Sequence, residues 1–317
     1  MKKFMELLFL KNLKGLGNAT INKKYIHLLE KTNSFEECVE LVYDNEPNLT
    51  SIDIDKAVNV AKKKHDDIFN DLEISVITVF DEEYPKKLLD LKDKKPLILY
   101  VKGDVSVLSQ PNIAIVGTRK PSEWSMKVES RLVHKIIDLS ERIIVSGLAL
   151  GCDKIAHETT VNLSKKTIAV LPSGVNVITP ASHKSLAENI IKNGGCLVSE
   201  YEPNAKVTKS TYVERDAVIA ALSDATMVVE CGVKSGTMHT VDAAEQMKRK
   251  LACYYIADSS KGTYDGNEFM IKEKGAYKIS DTNDLVPFLE ELNKKEINEE
   301  PEGQQMSITD ILGGSTE

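Results

Sequence analysis

The residues best suited to chemistry cluster where short apolar runs end. Ile113–Val116 is followed by Gly117-Thr118-Arg119-Lys120-Pro121-Ser122, and Ile143–Val145 by Ser146-Gly147-Leu148-Ala149-Leu150-Gly151-Cys152-Asp153. Thr167–Leu171 runs into Pro172-Ser173-Gly174, and Cys196–Val198 into Ser199-Glu200-Tyr201. Ala225–Val229 ends in Glu230-Cys231-Gly232-Val233-Lys234-Ser235-Gly236-Thr237-Met238-His239-Thr240. Glycine lets a backbone approach a bulky anion, and amides at a helix N-terminus add hydrogen bonds and a favourable dipole. One Gly-Ser loop is an ordinary turn. Several at corresponding positions, with Arg119, Lys120 and Lys234 beside them, favour a phosphate-bearing ligand over turn chemistry alone.

The common nucleotide and hydrolase fingerprints are missing. No GxGxxG follows the first of these runs, and the chain contains no GxxxxGK[ST], GxSxG or HExxH. His157 and His239 precede no carboxylate–nucleophile constellation and read as structural or ligand-touching. Glu200 and Glu230 form the one carboxylate pair at strand ends, a weak candidate for acid–base work. The cysteines at 38, 152, 196, 231 and 253 have neither CxxC nor Cys/His metal spacing, as expected of buried thiols in a reducing cytosol. No metal, cofactor or catalytic residue is expected.

The elements that must position these loops follow from periodicity. From 112 onward, short continuous apolar runs alternate with polar-faced stretches long enough for crossover helices. This predicts a Rossmann-like, mostly parallel sheet with helices on both faces, whose ligands gather beyond the strands' carboxyl ends. Residues 1–70 show helical spacing and read as a small helical domain. Within it, Leu13-Lys14-Gly15-Leu16-Gly17-Asn18-Ala19-Thr20 has the form of a helix-hairpin-helix turn, read either as a phosphate contact or as a Gly-rich turn between packed helices. Ile74–Val79 and Leu97–Val101 are strand-like and lead into the α/β core, giving a second unit over 71–280. Residues 281–317 read as an acidic linker, most evident at 294–304, and a short amphipathic tail at Gln305–Leu312 that docks on the body or on a protein partner.

Of 41 basic and 48 acidic residues, two and ten lie beyond 280, so residues 1–280 carry 39 bases against 38 acids. A neutral body can hold a one-sided basic groove, and the charge balance leaves nucleic acid open. No apolar run approaches the ~18 residues of a membrane span. The N-terminal apolar stretch is followed by Lys11 and Lys14 without a small-residue cleavage site, so the sequence reads as cytoplasmic, without a signal peptide or a membrane partner.

Taken in order, these motifs resemble the DprA/Smf family of DNA-processing proteins. The resemblance rests on Ile113–Arg119, Ser146–Asp153 with Ala156-His157, Thr167–Leu171 with Gly174, and Gly194-Gly195 with Ser199-Glu200. It continues through Ala220–Ser223 and Val228–Glu230 with Ser235-Gly236-Thr237 and Thr240, and upstream through Tyr84-Pro85 and Leu99–Gly103. It implies a homodimer that binds single-stranded DNA in a positive pocket and hands it to a RecA-type recombinase, without catalysis. Carried over by position, the pocket comprises Gly117, Arg119, Ser146, Gly147, Lys184, Arg215, Ser235, Gly236 and Thr237. Thr118, Lys120 and Lys234 adjoin these, and Tyr212 is read either as a base-stacking ring or as core packing. The sequence departs from the family where Arg-Asn-Arg becomes Arg215-Asp216-Ala217 and where Tyr-Pro…Asn becomes Thr179-Pro180-Ala181-Ser182-His183. The acidic linker and tail stand where a winged-helix domain often ends the family's chains.

Two other readings compete. The departures suit a regulator or nucleotide sensor of a phage-defence or toxin–antitoxin system, using the same sheet edge. A nucleotide phosphoribohydrolase would need a glutamate where Thr240 stands. The basic edge predicts that Arg119→Ala with Arg215→Ala weakens single-strand binding strongly. A fluorescence-anisotropy salt titration should show the log–log slope flattening by about 0.7 per lost phosphate contact.

Overall fold

The computed structural model describes residues 2–299 apart from Leu72. The helical start contains α1 (Phe4–Asn12), α2 (Asn18–Lys24), α3 (Ile26–Leu29), α4 (Phe35–Asn45) and α5 (Ser51–Phe69). Local sequence sets their beginnings. Ser34 caps α4 by accepting the Glu37 amide at 3.2 Å, and Thr50 with Asp53 forms a reciprocal capping box on α5. α5 buries Ile54, Ala57, Ala61 and Ile68 at helical spacing against Leu7, Leu8 and Leu10 of α1. That cluster continues into Leu97, Ile98, Tyr100 and Val175, so the helical segment shares one core with the sheet that follows.

The nine-stranded sheet runs β1 (Ser75–Thr78), β2 (Ile98–Gly103), β3 (Asn112–Val116), β4 (Ile143–Ser146), β5 (Thr167–Val170), β6 (Cys196–Ser199), β7 (Ala225–Val228), β8 (Lys250–Tyr254) and β9 (Tyr277–Ile279). Its spatial order is β1-β2-β6-β5-β4-β3-β7-β8-β9. The β1–β2 and β2–β6 pairs are antiparallel, and the other six are parallel. The crossovers carry α6 (Glu123–Ser140), α7 (Cys152–Asn162), α8 (Lys184–Lys192), α9 (Lys209–Leu222), α10 (Thr237–Gln246) and α11 (Asp265–Glu273).

Strand side chains alternate between two apolar layers. Ala114, Val116, Ile143 and Val145 meet α9, α10 and α11 through Val218, Val241 and Met270. Ile113, Ile115 and Ile144 meet α6 through Leu132 and Ile136 on the other face. Burial on both faces explains why these strands read as unbroken apolar runs. The expected Rossmann-like fold, with helices on both faces, is the one observed.

The C-terminal expectation needs correction. Residues 285–299 form α12 (Leu285–Glu299), and Leu285, Phe288, Leu289 and Leu292 are buried beside α6. Asn293 accepts from the Arg142 guanidinium at 2.9 Å, and Glu291 pairs with Lys250. Glu290 and Glu291, two of the acids that suggested a linker from 281, are exposed on the outer face of this amphipathic helix. The tail expected at 305–312 and the last residues of the expected linker lie outside the described residues. No helix among the described residues is long and apolar enough to cross a membrane.

Because α12 completes a core layer, Phe288→Ala should lower stability by about 3–5 kcal/mol, read by urea denaturation. A loose linker would give a change within about 0.5 kcal/mol.

Candidate nucleic-acid interface

Chain order reverses across β3, which has β4 on one side and β7 on the other. Helices leave to opposite faces at such a point, and a crevice opens beyond the strand ends. Here it is a cleft of about 600 Å³ that brings together Gly117 and Arg119 after β3, Ala149 and Asp153 after β4, and Ser235, Gly236 and Thr237 after β7. α9 closes it with Lys209, Tyr212, Arg215 and Asp216.

The loop after β3 is fixed by close backbone packing. A Cβ on Gly117 would lie 2.5 Å from the Cys152 sulfur, so glycine there lets α7 approach. Gly151, at φ +78°, passes the Thr118 carbonyl, which accepts the Cys152 amide at 3.1 Å. The Thr118 amide donates to the Glu230 carbonyl at 2.7 Å, and the Thr118 hydroxyl takes the Lys120 amide at 3.2 Å. Arg119 is left exposed, its guanidinium 5.0 Å from the centre of the Tyr212 ring. A cation over a half-buried aromatic face offers a phosphate contact and a stacking surface side by side.

Arg215 plays a different part from that expected of it. It is buried, and its Nη1 donates to the Gly147 carbonyl and, at 3.1 Å, to the Val170 carbonyl. Its Nε lies 3.1 Å from Asp216, and Nη1 lies 4.0 Å from Asp153. Gly147 is the space this guanidinium occupies, since a Cβ there would stand 1.6 Å from Nη1. Ser146 is likewise committed, its hydroxyl donating to the Ile115 carbonyl at 2.7 Å inside the sheet. Arg215 lines the cleft with its guanidinium already engaged, while Ser146 and Gly147 are not among the lining residues and support it from within the fold.

Other expected residues divide similarly. Gly117, Arg119, Ser235, Gly236 and Thr237 line the cleft. The Ser235 hydroxyl accepts the Thr237 amide at 3.2 Å, ordering the start of α10, whose N-terminus faces the opening. Lys120 and Lys234 are exposed neighbours of lining residues. Lys184 begins α8 and does not line the cleft; beside it His183 anchors to the Leu148 carbonyl at 2.9 Å.

Lys209, which the sequence reading did not single out, lines the cleft because α9 crosses its mouth, a tertiary arrangement. His239, read from the sequence as structural or ligand-touching, lines it from α10. Asp153 and Asp216 put carboxylates beside the cations. Burial pushes the Asp216 carboxyl up to about 6, with Asp153 adding to the rise and Arg215, His239 and Arg119 opposing it. The helix-capping pattern Thr208-Lys209-Ser210-Thr211 was the one visible hint that a helix begins at Lys209.

The candidate carboxylate pair is not assembled. Glu230 is buried and accepts the Ser122 amide and hydroxyl, both at 2.9 Å, and the Thr263 amide at 2.8 Å. Glu200 lines a separate cavity with Lys11 and the Gly17 turn, its carboxyl pushed up to about 7, chiefly by burial. His157 is buried with Nδ1 2.8 Å from the Thr167 hydroxyl, and burial lowers its pKa to about 3, so it is a neutral packing group.

Because Arg215 compensates buried carboxylates, Arg215→Ala should destabilise the fold by about 3–5 kcal/mol in urea denaturation. Arg119→Ala should cost less than about 0.5 kcal/mol in the same assay.

Comparison with known proteins agrees with this construction. The family model for DNA recombination-mediator protein A matches residues 75–290. The DNA processing protein DprA of Bacillus subtilis is 31% identical over 221 residues, which cover 69% of this chain and 73% of the relative. Protein Smf of Escherichia coli is 30% identical, over 68% of this chain and 56% of its own length. The crystal structure of DprA from Streptococcus pneumoniae superposes with a TM-score of 0.75 at 25% identity, covering 89% of this chain and 96% of that one. DprA from Helicobacter pylori, described for its mode of binding single-stranded DNA, matches with a TM-score of 0.61 at 29% identity over 71% of this chain and 98% of that one. With the motifs, the reversed strand order and the family model all falling on the same α/β body, the chain belongs to the DNA recombination-mediator protein A family, the DprA/Smf proteins.

Proposed function

We propose that this protein binds single-stranded DNA across the switch-point cleft, as a non-catalytic DNA-processing protein acting in the cytoplasm. The observation that carries the reading is the Arg119–Tyr212 pair at the cleft mouth, facing the N-terminus of α10. Cations and helix-terminal amides follow phosphates without reading sequence, and an aromatic face accepts any base. The relative from Helicobacter pylori, which binds single-stranded DNA, supports the same ligand class. Ser146, Glu230 and His157 are each engaged in holding the fold, which favours binding over catalysis. In this reading the protein works as a homodimer and delivers the strand to a RecA-type recombinase. The free, buried cysteines suit a reducing compartment.

A second reading, a nucleotide-sensing regulator of a defence or toxin–antitoxin system, draws on the carboxylates of Asp153 and Asp216. These disfavour a polyanion and suit a ligand with hydroxyl or amino donors near the floor.

The test is anisotropy of a labelled oligo-dT, with duplex DNA and free nucleotides as competitors. A phosphate beside Asp216 raises its proton affinity further, so binding takes up a proton and tightens as pH falls from about 7.5 through about 6. Asp216→Asn should tighten binding at neutral pH and flatten this dependence. Poor competition by duplex DNA is expected. Displacement by a free mononucleotide at comparable concentration would instead favour the sensor.

A further inference from the structure

Trp124 is the one tryptophan of the chain and the second residue of α6, directly after the loop that carries Arg119 and Lys120. Its indole N–H donates to the Tyr254 hydroxyl at 3.1 Å, which fixes the plane of the ring. Even so, 37% of the residue is exposed. The Lys261 ammonium stands over this ring, 3.9 Å from its centre. Among the described residues, its other charged partner is Asp258, in an exposed ion pair at 3.8 Å, a weak restraint.

The arrangement repeats the one at the cleft, where Arg119 covers Tyr212. Both aromatic–cation pairs stand beyond the carboxyl ends of the central strands, and one buried carboxylate couples them. One oxygen of Glu230 takes the amide and hydroxyl of Ser122, which also caps α6, and its other oxygen takes the amide of Thr263 in the loop that carries Lys261. Trp124 lies five positions beyond Arg119 in the chain. Their Cα atoms are therefore at most about 18 Å apart, a span of about five stacked nucleotides at ~3.4 Å each. Lys120, exposed, lies between them in the chain.

We propose that Trp124 and Lys261 form a second station for single-stranded nucleic acid. A base stacks on the indole while Lys261 leaves the ring face for a neighbouring phosphate. The proposal rests on the reading of the cleft as a single-strand site and extends it: the strand runs from Tyr212 over the loop after β3 to Trp124, and affinity grows with strand length until both stations are filled. If Trp124 only anchored α6 to β8, its emission would not respond to DNA.

Because the chain has one tryptophan, its emission reports this station alone. The unlabelled full chain is titrated with oligo-dT of about 4 and about 20 nucleotides, bracketing the usual site sizes, with anisotropy of labelled oligomers measured in parallel. The long oligomer should quench the indole and shield it from acrylamide. Trp124→Ala should weaken the long oligomer roughly tenfold, and Trp124→Tyr, which keeps a ring, should recover most of that loss. Lys261→Ala should reduce the log–log salt slope by about 0.7 and does not depend on the tryptophan variants folding. Anisotropy that reports binding while the indole emission and the Lys261→Ala slope stay unchanged would overturn the second station and leave the cleft intact. No anisotropy change even at low salt would overturn both.

Discussion

The carboxylate of Glu230 is the contact on which the carboxyl edge of the sheet depends. It lies at the end of β7, beside the point where chain order reverses, and accepts hydrogen bonds from two loops that do not otherwise meet in sequence. Its own carbonyl takes the Thr118 amide, so side chain and backbone of one residue position the whole stretch from Gly117 to Ser122. A buried carboxylate is tolerated at this cost in desolvation only when its lone pairs are satisfied, and here three donors satisfy them. This contact adds to the backbone packing of Gly117 and Gly151 against Cys152 and Thr118 in restraining the loop that carries Arg119.

The floor of the cleft obeys a related constraint. Arg215 lies at the ends of β4 and β5, where its guanidinium donates to backbone carbonyls. Its guanidinium takes the Gly147 and Val170 carbonyls while facing Asp153 and Asp216. A planar, permanently charged fork can meet carbonyls and carboxylates at once, which a lysine could not do in the same geometry. The positive potential at the mouth thus comes from Arg119, Lys209 and the α10 terminus, with Arg215 largely neutralised beneath them. The acid that replaces the family's asparagine, Asp216, is the partner of a buried cation and also lines the cleft.

The body that carries the cleft is continuous. β2 joins the helical N-terminal layer to the parallel sheet through Leu97, Ile98 and Tyr100, and α12 closes the opposite face with Phe288 and Leu289. Neither junction is visible as a motif, because each consists of ordinary apolar residues whose partners lie far away in sequence.

The sequence by itself determined the class of fold, the ordered loops at the strand ends and the family. Strands buried on both faces must be apolar throughout, and close-approach glycines such as Gly117, Gly147 and Gly151 leave a local signature. It also marked Arg119, Ser235, Gly236 and Thr237, which the fold brings to one cleft. Only tertiary structure decided which polar groups remain free: Ser146 and Arg215 were legible as polar, but their commitment to carbonyls on β3, β5 and the β4 loop is a long-range fact. Lys184 was placed by analogy of position, yet the turn of α8 carries it away from the cleft lining. The acidic composition of 281–299 hid a helix because charge count averages over both faces, while packing selects one. Residue types and spacing record local geometry; which charge is solvated and which is neutralised depends on neighbours that only the folded chain supplies.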